Sequence, residues 1–201
     1  MPQSRLARIV TVVSLALILA IGGLLAWRLI EARQTGSASA GVALIGGPFS
    51  LVDQNGKRRT DAEFRGQLML VYFGFTFCPD LCPATLQTMS KAMDALGPAG
   101  ARVTPIFITV DPARDTVAQL HDYAANFHPR LVALTGSEAE IAAASEAYRI
   151  YYQKVADPAL NGYSLDHSSV VYLMGPDGSF LTHFSAGATA EQMAEKIRSY
   201  L

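Results

Sequence analysis

The chain has 201 residues, a formal net charge of −1, half its residues hydrophobic and 16% charged. That balance excludes a disordered chain and, with no basic excess, a nucleic-acid-binding one. Two cysteines in the whole sequence also exclude a disulfide-dense scaffold.

Residues 9–27 carry no charge and are flanked by Arg5 and Arg8 on one side and Arg28, Glu31 and Arg33 on the other. At about 1.5 Å per helical residue the run reaches ~29 Å, the thickness of a bilayer's hydrocarbon core. A cleaved signal is the competing reading. Its apolar region is usually shorter, and the one small-residue candidate site, Ala38-Ser39-Ala40, lies well beyond the run. The expectation is therefore a transmembrane anchor over 1–30, with the short Arg-bearing tail left in the cytoplasm and the rest exported. A bacterial inner membrane with the domain in the periplasm follows, a compartment where a cysteine pair can oxidise. Residues 31–47, rich in Gly, Ser and Ala, read as a linker. Residues 48–201 have the size of one compact domain.

Within that domain, 49–53 and 57–60 around Asn55-Gly56 predict a hairpin with a type I′ turn. Residues 68–75 form a nearly continuous apolar run, expected of a strand buried on both faces, and 102–110 form a second. Residues 115–127 place Val117, Leu120, Ala124 and Phe127 on one helical stripe. A short strand at 131–134 leads to a helix at 137–148, opened by the capping box Ser137…Glu140. Residues 169–174 and 179–184 around Gly175-Pro176-Asp177-Gly178 form a hairpin, and Thr189 caps a last helix. The alternation in the middle requires parallel strands, and the hairpins add antiparallel ones. The fold class is α/β: a thioredoxin-like mixed sheet flanked by helices, behind the N-terminal transmembrane helix.

Between the first buried strand and a helical run at 84–96 lies Cys78-Pro79-Asp80-Leu81-Cys82-Pro83. Two thiols at a strand-to-helix junction point to redox chemistry, a metal, or both. Proline is favoured in the first turn of a helix, so starting the helix at Pro83 makes Cys82 its N-cap, where a thiolate is favoured. A purely structural disulfide is not required by a domain of this size. The spacing is one residue longer than the Cys-x-x-Cys of thioredoxins, which leaves both sulfurs able to face one ion. Thiolates are soft ligands, suited to copper(I), zinc or iron–sulfur clusters.

A third ligand is then sought among four histidines. His121 reads as part of a solvated helix face, His128 as a loop residue before Pro129, and His183 as a surface residue of the last hairpin. His167 opens the apolar strand 170–174, and in a thioredoxin-like sheet the loop before that strand lies beside the cysteine motif. Asp166 is its candidate orienting partner. Asp80 either attracts a cation and raises the thiol pKa values or simply forms the turn. Asp111 or Asp115 can cap the following helix, and neither is a candidate ligand.

Three stretches resemble signatures of the Sco/SenC copper chaperones: Tyr72-Phe73-Gly74-Phe75-Thr76-Phe77-Cys78-Pro79-Asp80-Leu81-Cys82-Pro83, Ile108-Thr109-Val110-Asp111-Pro112-Ala113-Arg114-Asp115-Thr116, and Leu165-Asp166-His167-Ser168. The resemblance implies a thioredoxin-like domain on one membrane span that binds one copper ion through Cys78, Cys82 and His167. It implies assistance to assembly of the CuA centre of cytochrome c oxidase, with the oxidase subunit carrying that centre as partner and a copper donor or thiol reductant upstream. The alternative is a periplasmic thiol–disulfide oxidoreductase in which Cys78 and Cys82 form a redox-active disulfide. A peroxidase would need Thr three residues before its cysteine, where this chain has Phe75.

Overall fold

The computed structural model describes residues 21–23, 45–157 and 162–201. The expected membrane span and the expected linker fall outside these residues, apart from 21–23, which are helical, and 45–47. Among the described residues no helix is long and apolar enough to cross a membrane. The chain divides into two units, Met1–Ala43 and Leu44–Leu201.

The second unit is built on two strands that are buried along their whole length, β3 (Leu68–Gly74) and β4 (Val103–Thr109). They pair in parallel from Leu68↔Val103 to Gly74↔Thr109. Continuous apolar sequence is what such a position requires, because both faces are covered. β4 contains Pro105, yet β5 (Val132–Thr135) joins it only from Ile106 onward. The proline thus sits where that flank is still unpaired, the setting in which a strand tolerates a residue without an N–H.

β1 (Ser50–Asp53) and β2 (Arg58–Thr60) extend the sheet beyond β5, and β8 (Val170–Met174) and β9 (Phe180–Ser185) extend it beyond β3. The order is β2-β1-β5-β4-β3-β8-β9, parallel only in the middle. The helices are α1 (Leu81–Leu96), α2 (Val117–Ala124), α3 (Glu138–Ala147) and α4 (Ala190–Arg198), and α1 packs against α4. Capping boxes Ser137…Glu140 and Thr189…Gln192 open α3 and α4 as expected. At the other end, Ile45 packs on the core and the Gly46 N–H donates to the Ala147 carbonyl at 2.9 Å.

Two local expectations change. The β1–β2 connection is not a type I′ turn, because Gly56 has positive φ and Asn55 does not. One Asp53 carboxylate oxygen accepts the N–H groups of Asn55 and Lys57, and the Gly56 N–H donates to the Asp53 carbonyl. The side chain thereby holds a three-residue loop that ends on a left-handed glycine. The second change is an added element. β6 (Tyr152–Asp157) and β7 (Gly162–His167) form a separate two-stranded sheet, with Tyr152 paired to His167. His167 therefore ends a strand of its own rather than opening β8.

Candidate metal centre

β3 delivers the chain into the core and releases it at Gly74. A Cβ there would lie 3.0 Å from the Cys82 sulfur and 3.0 Å from the Phe107 ring. A side chain at this position would need one of them to give way. Phe75 is buried, Thr76 half-buried and Phe77 exposed, so the chain surfaces just before Cys78.

The helix that follows starts earlier than expected. α1 begins at Leu81 with Asp80 as N-cap, which puts Cys82 inside the first turn rather than at the cap. Pro83 is compatible with this because the first turn's N–H groups have no partner within the helix. The Cys82 N–H is instead donated to the Cys78 sulfur at 3.4 Å.

Both cysteines are reduced, with Cys78 half-buried and Cys82 fully buried. Their environments push them apart. The Cys82 thiol, then the backbone N–H groups of Cys82 and Asp80, stabilise the Cys78 thiolate and push its pKa down to about 4, against the cost of partial burial. Donation to Cys78, together with burial, pushes Cys82 strongly up. The thiolate expected at Cys82 thus belongs to Cys78. Asp80 is exposed and contributes its backbone N–H to that thiolate.

The end of β7 brings His167 to the same place, with its Nε2 3.4 Å from the Cys82 sulfur. The Nδ1 of His167 lies 3.1 Å from the Ser168 carbonyl. A carbonyl only accepts, so Nδ1 carries the proton in a neutral ring and Nε2 presents its lone pair to the sulfurs. Ser168, not Asp166, orients the imidazole; Asp166 is exposed on the opposite face of the strand. The ring also meets the edges or faces of Tyr72 and Phe75, with centroids at 6.2 and 5.8 Å. Ser168 and Tyr151 exchange backbone and side-chain hydrogen bonds that tie the two strand ends together.

The other histidines stay away from the thiols. His121 is exposed beside Asp122, His128 accepts the Arg130 N–H, and His183 stacks on Phe180. Among the described residues no three His, Cys, Asp or Glu side chains already surround one point as a loaded metal site would. Two sulfurs and one imidazole nitrogen are nonetheless within side-chain adjustment of each other, a soft donor set suited to copper or zinc.

The cap expected at Asp111 or Asp115 lies elsewhere. Asp111 and Asp115 are both fully buried, and Thr116 caps α2 instead. Asp115 accepts hydrogen bonds from the Thr76 N–H (3.0 Å), the Thr76 hydroxyl (2.6 Å) and the Thr109 hydroxyl (2.5 Å). Asp111 accepts from Arg114 and from the Tyr163 hydroxyl. No local signal distinguishes such carboxylates from caps, since Thr76 is 39 residues from Asp115 and Tyr163 is 52 from Asp111.

A mixed sheet with a dithiol where β3 meets α1, and an imidazole placed over it, defines a thioredoxin-like protein whose thiol pair is joined by a third soft donor. A family model described as SCO1/SenC matches residues 37–201. The chain belongs to the SCO1/SenC family. The mitochondrial SCO2 homologue of Bos taurus is 45% identical over 157 residues, covering 77% of this chain and 59% of that one. The structure of Bradyrhizobium japonicum ScoI with copper bound is 43% identical, with a TM-score of 0.73, covering 78% of this chain and 99% of that one. BsSco, described with a disulfide switch and as a member of the Sco family of cytochrome c oxidase assembly proteins, is 27% identical with a TM-score of 0.63, covering 81% and 96%. The chain spans about half to two-thirds of the length of the curated relatives that it first matches.

Proposed function

We propose that this chain is a copper-binding metallochaperone that assists assembly of the CuA centre of cytochrome c oxidase. One copper ion is its cargo, held by Cys78, Cys82 and His167. The observation that carries the reading is the approach of His167 Nε2 to the Cys82 sulfur at 3.4 Å, beside a Cys78 already stabilised as thiolate. Two sulfurs and one nitrogen leave coordination positions open, so the ion can pass to the oxidase subunit by ligand exchange. The copper-bound state of Bradyrhizobium japonicum ScoI and the oxidase-assembly description of BsSco support the assignment. Residues 1–30 anchor the protein in a bacterial inner membrane, residues 31–47 are the linker, and 48–201 work in the periplasm. The support there is the uncharged run 9–27 and its arginine flanks.

A second reading rests on the asymmetry of the thiols. Cys78 is half-exposed and ionised, as an attacking sulfur should be, and Cys82 is buried and protonated, as a resolving one can be. Cys78 would attack one sulfur of a target disulfide, displacing the other as a thiolate. Cys82 would then release the target as a dithiol, with two electrons transferred and a Cys78–Cys82 disulfide left behind. That disulfide removes two of the three donors, so oxidation also switches off metal binding.

The test uses the full chain in detergent, reduced without oxygen. One copper should bind per chain, with sulfur-to-copper charge-transfer absorption for copper(II). His167→Ala should weaken copper(II) binding by at least about tenfold while shifting the dithiol reduction potential far less. A wild-type chain that binds no copper above background yet reduces a disulfide substrate overturns the chaperone reading in favour of the oxidoreductase.

A further inference from the structure

The two halves of the site come from different sheets, and the seven-residue turn after β4 is bonded to both. On one side, Asp115 holds the backbone and hydroxyl of Thr76, two residues before Cys78. On the other side, the Arg114 guanidinium lies 3.9 Å from the centre of the Tyr163 ring and donates to the Tyr163 carbonyl at 2.9 Å. Its Nε donates to Asp111, and the Tyr163 hydroxyl donates to the other oxygen of the same carboxylate at 2.8 Å. The guanidinium also covers the Phe77 ring at 4.8 Å, next to Cys78.

Tyr163 precedes His167 by four residues on β7. Side chains two and four apart on a strand share a face, so Tyr163, the buried Leu165 and His167 all point the same way. What fixes Tyr163 therefore fixes the strand face that carries the imidazole. Among the described residues β6 and β7 pair only with each other. They take no ladder hydrogen bonds from the main sheet, so side chains must hold them to the domain.

We infer that Arg114 is a positioning residue for the metal centre: clamped between Asp111, Tyr163 and Phe77, it sets the distance between His167 and the two thiols. The inference rests on the proposed copper site and adds to it a group that touches no metal. A planar, five-donor guanidinium suits the task, since it serves a carboxylate, a carbonyl and two aromatic faces at once. A lysine has the charge but not the fork.

The test is a double-mutant cycle on the full chain in detergent, read as copper(II) affinity against a competing chelator. Arg114→Met should weaken binding by about 10–100-fold, the loss seen when the support of a metal ligand is removed. Arg114→Lys should recover part of it. In a His167→Ala background, Arg114→Met should cost less than about threefold more, because a residue acting through the imidazole has nothing left to position. Equal losses in the two backgrounds, or no loss in either, overturn the inference. Should Arg114→Met not fold, Tyr163→Phe removes only the hydroxyl bond to Asp111, and its smaller loss must vanish in the His167→Ala background in the same way. If the wild type binds no copper, the functional reading fails separately, and the clamp is read in metal-free protein by amide hydrogen exchange. Arg114→Met should then speed exchange along β6 and β7 and leave β3 unchanged. An unchanged hairpin overturns the clamp.

Discussion

β3 and the β6–β7 hairpin each bring donors to one site, and they are held in opposite ways. All seven residues of β3 are buried, and it pairs on both sides, with β4 and β8. The four middle residues of β6 are exposed, and among the described residues the strand pairs only with β7. Cys78 and Cys82 follow β3 in the chain, with Cys82 inside the core and Cys78 packed half-buried against it. His167 ends the second, attached through Tyr163 and the buried Leu165. The proposed copper site would benefit from that division. The thiols follow a fully buried strand, while His167 sits on a separately paired arm whose movement would leave that strand undisturbed.

Substitutions that separate burial from polar attachment break or sharpen this contrast. The largest effect belongs to the core side. Leu70 is fully buried in the middle of β3, opposite Leu173 of β8. Leu70→Ala should destabilise the domain by about 2–5 kcal/mol, the range for such a cavity, measured by urea unfolding. A loss below about 1 kcal/mol would mean that β3 is not the support described here.

A smaller effect, and one that depends on pH, belongs to the turn that joins the two regions. Burial raises the Asp115 carboxyl above the usual 3.8, only partly offset by the hydrogen bonds from Thr109 and Thr76. A folded-state value above the unfolded one favours the protonated form in the native protein. Its stabilising contribution is present in full below pH 3.8 and is lost as pH rises through the folded value. Wild-type stability relative to Asp115→Asn should therefore fall as pH increases from about 4, by no more than about 1.4 kcal/mol per pH unit while the group titrates. Urea unfolding of both proteins across that range checks it. A difference independent of pH would show that the carboxyl is not perturbed.

The same contrast explains what was legible in the sequence. β3 and β4 were readable because burial on both faces demands an unbroken apolar run. The caps of α3 and α4 were readable because a capping box is a contract between residues three apart. β6 was missed because Gln153, Lys154, Val155 and Ala156 are exposed, and exposure imposes no hydrophobic period. Cys78, Cys82 and His167 stand out in the sequence as candidate ligands, whereas the groups hydrogen-bonded around them do not. Asp111 or Asp115 looks like a cap because Tyr163 and Thr76, which donate to them, lie 52 and 39 residues away, and Asp166 looks like the orienting group because it is adjacent. In the fold, the orienting group is the Ser168 carbonyl, which has no side-chain signature. The start of α1 turned on a proline rule that forbids an interior position but permits the first turn, where no bond is lost.

The smallest effect is expected on the hairpin itself. Val155 is 41% exposed in the middle of β6, among the few large hydrophobic side chains left in contact with solvent. Val155→Ser removes little buried apolar area and should change stability by no more than about 0.5 kcal/mol. The informative part is its pairing with Arg114. If the hairpin were held by apolar contact along β6, Val155→Ser would loosen it and weaken copper(II) binding. If polar attachment through Tyr163 holds it, Val155→Ser leaves binding within about twofold of wild type while Arg114→Met does not. Measuring both variants on the same chelator scale decides which physical force keeps His167 over the thiols.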